Sequence, residues 1–190
     1  MGVGGLIFLA VAGVVLVYGV TLYNNLVTLK HAVSKAWSNI EVLLKQRHDE
    51  LPKLVEVCKQ YMKFEQETLE KVIQARSRVA SASESHNMAA LGTAEAGLRS
   101  VLGQLFALVE NYPDLKANDN FQHLQGRITG LENAIADRRE LYNESVNINN
   151  VRIDQFPDVI VARMFGFDSF DLLVFDAAEI ADVDMKRLFS

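Results

Sequence analysis

The chain is poor in residues that break, staple or catalyse. A single cysteine, Cys58, stands among 190 residues, so no internal disulfide forms and no redox compartment is indicated. Cys58 follows the apolar period of its neighbours and reads as a small hydrophobe on a helix face. Only three prolines occur, at positions 52, 113 and 157, which leaves room for few and long helices. Basic residues are not in excess. A net charge of −5 gives no support to nucleic-acid binding, which needs a clustered basic surface. Between Met1 and Leu29 there is no Asp, Glu, Lys or Arg at all.

What fills that charge-free start is apolar. Twelve large aliphatic or aromatic residues lie between Val3 and Leu22, leaving Tyr18 aside. About 20 apolar residues are what a helix needs to cross the hydrocarbon core of a bilayer. At about −0.3 to −0.6 kcal/mol for each such residue near the centre, insertion is favourable by several kcal/mol. A cleavable signal would carry Lys or Arg before the run and a small-x-small site after it. The flanks here are Met-Gly-Val-Gly-Gly and Tyr23-Asn24-Asn25-Leu26, so residues 1–23 are expected to be an uncleaved anchor, meeting the bilayer through residues 3–22. Tyr18 and Tyr23 suit its interface. Lys30 and Lys35 precede the first acid, Glu41, and the positive-inside rule then puts the bulk of the chain in the cytoplasm. Gly5, Ala12 and Gly19 recur a heptad apart and would let a second helix approach on one face.

Past the anchor the helical period continues through Leu26, Leu29, Val33, Ala36, Ile40 and Leu43, so the first helix is expected to run on to about Glu50. Pro52 suits the first turn of a second helix, marked by Leu54, Val57, Tyr61, Phe64, Thr68, Val72, Ala75 and Val79. Ser81–Asn87 reads as a loop. A third helix carries Leu91, Leu98, Leu102, Leu105, Val109 and Tyr112. A fourth, capped by Asn118 or Asp119, carries Phe121, Leu124, Ile128, Leu131, Ile135, Tyr142 and Val146. Long helices with short connections pack antiparallel. The expected fold is therefore all-α: a transmembrane helix continuing into an antiparallel four-helix bundle over residues 24–156. Residues 157–190 then hold a short helix ending at Gly166 and an acidic, partly extended tail from Phe167 onward, read as mobile, with docking on the bundle or on a partner as the alternative.

Chemistry is hard to find. The four histidines, at positions 31, 48, 86 and 123, form no His-Glu-x-x-His pair, and no Glu-x-x-His or Cys/His cluster provides for a metal. Phosphate-binding and dinucleotide fingerprints are missing, as is Gly-x-Ser-x-Gly. No catalytic, cofactor-binding or metal residue is assigned, and no cofactor is expected. Arg47–Glu50 reads as a solvated helix end. Trp37 lies too far along the helix for an interfacial belt and is expected to pack between helices. A buried polar layer is expected in the fourth helix, from Glu132, Arg138, Arg139 and Tyr142. An acid on an earlier helix, such as Glu41 or Glu56, is a candidate partner for a buried arginine there.

Several runs together resemble the LemA family of bacterial membrane proteins. They are Tyr23-Asn24-Asn25-Leu26-Val27, Ala36-Trp37-Ser38-Asn39-Ile40-Glu41, Leu51-Pro52, Tyr112-Pro113-Asp114-Leu115-Lys116-Ala117-Asn118-Asp119-Asn120-Phe121, Leu131-Glu132-Asn133, Arg138-Arg139, Tyr142-Asn143, Phe156-Pro157 and Phe165-Gly166-Phe167. The resemblance covers the chain from about Tyr23 to Phe167. It implies a single-pass bacterial membrane protein with an N-terminal anchor and a long-helix bundle, and it brings no catalytic residue. In the tail, Phe175-Asp176-Ala177-Ala178-Glu179 looks family-like, whereas Asp184-Met185-Lys186-Arg187-Leu188-Phe189 stands where the family closes on Pro-x-Val-x-Phe. The expected role is a membrane-anchored scaffold that self-assembles or binds partner membrane proteins. A small-molecule or lipid-binding bundle is the alternative, and a hydrolase the third reading.

Overall fold

The computed structural model describes residues 2–174, and among these every regular element is a helix. The tail beyond position 174, with its family-like and divergent runs, lies outside the described residues. In order the elements are α1 (Val3–Tyr61), α2 (Gln66–Glu84), α3 (Met88–Val109), the single turn α4 (Pro113–Lys116), α5 (Asp119–Asp154) and α6 (Asp158–Phe165). The chain divides into two compact units. One joins Met1–Ser38 to Glu140–Leu172, and the other is built on Asn39–Arg139.

The second unit is the four-helix bundle. Chain reversals at residues 62–65 and 85–87, and the α4 turn before α5, make successive long helices alternate in direction. The core stripe of α1 here is Ile40, Leu44, Arg47, Leu51, Leu54 and Cys58, all buried and spaced by threes and fours. Cys58 is fully covered, and burial pushes its thiol up to about 12. The facing stripes are Leu69, Val72, Ala75, Val79 and Ala82 of α2, Leu91 to Val109 of α3, and Phe121, Leu124, Ile128 and Ile135 of α5.

The first correction concerns Pro52, which begins no new helix. It sits inside α1, which continues nine residues beyond it. A proline inside a helix has no N–H for the carbonyl four residues back, here that of His48. Arg76 of α2 donates its Nε–H to that carbonyl at 2.8 Å, so the orphaned acceptor is satisfied from outside the helix. The helix then ends at Tyr61, and Phe64, expected in the core of a second helix, is 93% exposed in the turn. A double-mutant cycle reads this substitution of donors. Arg76→Ala is expected to destabilise by about 1 kcal/mol, the low end of the cost of an unsatisfied acceptor, because this one is only partly buried. In a Pro52→Ala background, where the residue-52 amide is restored, the same change is expected to cost clearly less by urea denaturation. Equal costs in both backgrounds would separate Arg76 from the proline.

Two further boundaries follow local chemistry. The loop expected over Ser81–Asn87 is shorter, because α2 runs to Glu84. His86 takes a positive φ of 51° at the reversal, and the Asn87 side chain caps α3 by accepting from Ala90 N–H at 2.9 Å. At α5 it is Asn118 that caps, accepting from Phe121 N–H at 3.0 Å.

In the first unit α1 and α5 run antiparallel, with Trp37 packed edge-on against Tyr142 at 5.8 Å between ring centroids. Leu26, Ile153 and Ala162 form a small core with Val161 and Phe167. α6 ends at Gly166, whose φ of 67° is the left-handed cap that glycine adopts without strain. Beyond it the expected mobile tail is corrected in part. Asn150 both accepts from Phe170 N–H and donates to Phe170 C=O, at 3.0 and 2.9 Å, and Tyr142 Oη–H donates to Asp171 C=O at 2.9 Å. One helix side chain thus supplies the two bonds that a neighbouring strand would, and residues 170–171 are tied to α5.

Candidate functional site

The buried charge in the four-helix unit centres on Arg47. Its side chain is about as buried as the leucines above and below it, because position 47 falls in the core stripe of α1. The expectation of a solvated helix end at Arg47–Glu50 is therefore wrong for its two outer members: Arg47 and Glu50 are 2% and 6% exposed. The Arg47 guanidinium pairs with buried Glu95 of α3 and lies 4.0 Å from Glu132 of α5. One turn along α1, Glu50 accepts from Arg127 of α5 at 3.0 Å and from Lys53 at 3.2 Å. Three helices are thereby joined through one arginine and two glutamates. An arginine suits this place because its planar fork addresses two carboxylates at once and stays charged when buried.

Burial raises the Glu132 carboxyl above the ordinary range, and nearby Glu95 adds to the rise. Arg47 and Arg99 oppose it. His48, beside Arg47 on the same helix, has its ring against Arg76 and its pKa lowered, first by desolvation and then by the Arg76 charge. A histidine with a depressed folded pKa binds fewer protons folded than unfolded. Its contribution to stability is present above the ordinary histidine value and is lost as pH falls through the folded one. Stability measured from pH 7 down to pH 5 is therefore expected to fall more steeply for the native chain than for His48→Gln. Parallel profiles would show that His48 carries no such linkage.

The sequence-expected layer divides. Glu132 joins the Arg47 network, whereas Arg138 is exposed and is no member of a buried layer. Arg139 is half-buried. Tyr142 is buried, but in the other unit, where it meets Trp37 and Asp171. Of the acids considered as arginine partners, Glu41 lies 3.7 Å from His86 and Glu56 is exposed. Gly5 and Ala12 are exposed on α1 and Gly19 is half-buried, with open space where a Gly19 Cβ would stand.

The missed residues had a signal. Ile40, Leu44, Leu51 and Leu54 leave a gap that position 47 or 48 fills, and Leu91 and Leu98 leave one that position 94 or 95 fills; the structure buries Arg47 and Glu95. Both gaps hold charges, and of opposite sign. Besides the network, a groove of about 920 Å³ runs between the end of α1 and the start of α2. Val55, Met62, Leu69 and Ile73 line it, with Lys59 and Lys63. No group of three or more His, Cys, Asp or Glu side chains is placed to hold a metal among the described residues.

An all-α protein with one long apolar helix leading into a four-helix bundle braced by buried ion pairs is the class these features define. The chain belongs to the LemA family, whose model matches residues 36–186. It is similar to the magnetosome protein MamQ 2 of Paramagnetospirillum magneticum, at 25% identity over 76% of this chain and 62% of the relative. It is also similar to the protein LemA of Metamycoplasma hominis, at 28% identity over 95% of this chain and 80% of the relative. A shorter match, to MamQ of Magnetospirillum gryphiswaldense, reaches 36% identity over 41% of this chain and 29% of the relative. The chain thus spans less than two thirds of the magnetosome relatives' length.

Proposed function

We propose that this protein is a membrane-anchored scaffold, held in the bilayer by residues 3–22 and assembling with itself or with partner membrane proteins. The observation that carries the reading is where the buried charges point. Buried Arg47, Glu95 and Glu50, with half-buried Glu132 and exposed Arg127, connect helices to one another, a use that holds a bundle in register rather than one that presents reactive groups. The apolar window of α1 adds a surface that none of the described residues covers. Lys30 and Lys35 favour a cytoplasmic bundle, and a reporter fused at Ser190 that is active only outside the cytoplasm would reverse that orientation.

Self-assembly through the Gly5, Ala12 and Gly19 face is testable in the full chain. Detergent-extracted protein is expected to be an oligomer by light scattering, and Gly5→Leu with Ala12→Leu is expected to lower its mass. A native chain that is strictly monomeric by light scattering, and yields no crosslinked partner in membranes, would end the scaffold reading. The groove beside Lys59 and Lys63 favours a second reading, the binding of a lipid or other amphiphile. Native mass spectrometry of the extracted protein would show a retained ligand, and its loss on Met62→Glu would place it there.

A further inference from the structure

The burial pattern of α1 changes abruptly at one level. Apart from half-buried Gly19, positions 2–21 are exposed, and Leu22 and Leu26 are buried. What covers α1 there is the end of α6 and the residue after its cap. Tyr23 meets Phe165 and Phe167 edge-on, with ring centroids at 4.9 and 5.7 Å, and Ala162 joins Leu26 in the small core. Leu26 stands four residues past Leu22, about 6 Å along the helix axis. The polar layer on each side of a bilayer's hydrocarbon core is about 5–7 Å thick. Phe170 and Asp171 bond to Asn150 and Tyr142 of α5, so the described chain beyond α6 leads away from the apolar run.

Toward the core α6 turns Asp158, held by Arg152 Nε–H at 2.7 Å, and Ala162. Its other side is apolar, and none of the described residues covers it. Ile160, Met164 and Phe165 lie there, exposed by 53%, 70% and 58%, and Phe156, just before the helix, is 81% exposed. Arg163 is exposed beside them. Singly exposed hydrophobes need no explanation, but four large ones within ten residues form a patch, and patches mark contact surfaces. This patch is continuous, through Tyr23, with the exposed apolar surface of α1.

We propose that α6 is a second membrane contact, lying in the interface of the bilayer that α1 crosses, with Phe156, Ile160 and Met164 in the acyl boundary and Arg163 among lipid phosphates. The inference rests on reading residues 3–22 as the anchor. Amphipathic helices in the interface plane bury their apolar face about 5–10 Å deep, and tethering by α1 removes the cost of bringing so short a helix to the surface.

Single cysteines at Val11, Ile160, Met164 and Ser100 in the full chain, labelled with an environment-sensitive fluorophore, test this in phosphatidylcholine–phosphatidylglycerol vesicles. Native Cys58 stays, since its covered thiol does not compete for label. The probes at 160 and 164 are expected to shift to the blue and lose intensity with brominated lipid, as the probe at 11 does, while the probe at 100 is quenched by iodide from water. Iodide quenching at 160 and 164 equal to that at 100 overturns the proposal, with the anchor reading intact if position 11 is still quenched by lipid. Protection of 160 and 164 from both quenchers also overturns it, in favour of a second copy covering the patch. A probe at 11 that brominated lipid leaves unquenched removes the anchor reading and this one together.

Discussion

Glu95→Ala is expected to destabilise the bundle by about 3–5 kcal/mol, the range found when one partner of a buried ion pair is removed and the other is left uncompensated. Arg47 is 2% exposed and, among the described residues, keeps the more distant Glu132, at 4.0 Å. For a chain of this size that loss lowers the midpoint of thermal unfolding by about 10 °C. The native network, however, has paid for its own desolvation, so its presence is weak evidence of net stabilisation. Replacing Arg47, Glu95 and Glu132 together by leucine is therefore expected to restore most of the stability that Glu95→Ala removes, or to exceed the native value. Circular dichroism of the full chain in detergent, against urea, measures both. A Glu95→Ala cost below about 1 kcal/mol would place the pair among solvent-screened surface contacts. If the triple-leucine variant keeps its stability but loses a defined oligomeric state, the network serves register more than stability.

That pairing marks the limit of what is legible in the chain. Long apolar periods located α3 and α5 to within a few residues, and Asn118 could be read as a cap because its side-chain type and place agree. The end of the first helix could not be read in the same way. Pro52 looks like a boundary as long as the residue that repairs the His48 carbonyl is unknown, and Arg76 lies 28 positions on. Arg47 and Glu95 were hidden for a related reason. Each fits the core period of its own helix, but a lone charge in a stripe looks like an error in the period until its counter-charge is placed opposite it. Arg138 shows the reverse. It stands between buried Ile135 and Tyr142 at the same spacing of three and four that Arg47 has between Leu44 and Leu51, yet it faces solvent. Local pattern decides which element forms, while partners distant in sequence decide which of its polar residues go inside.

The other large effect concerns the apolar end of α1. Leu9→Asp with Val15→Asp is expected to release the protein from membranes. The twelve large apolar residues contribute about −0.3 to −0.6 kcal/mol each, and a single Asp near the centre of the span costs about 2.5–3.5 kcal/mol. Two such substitutions cost about as much as the whole run contributes, before the lost leucine and valine are counted. Leu9→Ala with Val15→Ala removes apolar area without adding charge, and this control is expected to stay inserted. The contact assigned to α6 does not hold the variant in place. Three apolar side chains on and just before an eight-residue helix bind less firmly than a single acyl chain, which itself gives only reversible attachment. After a carbonate wash the native chain and the alanine control are expected in the membrane pellet and the aspartate variant in the supernatant, with its helical circular dichroism intact from Leu22 onward. An aspartate variant that remains in the pellet would show that attachment runs through some other surface, and residues 3–22 would then lose their place as the anchor.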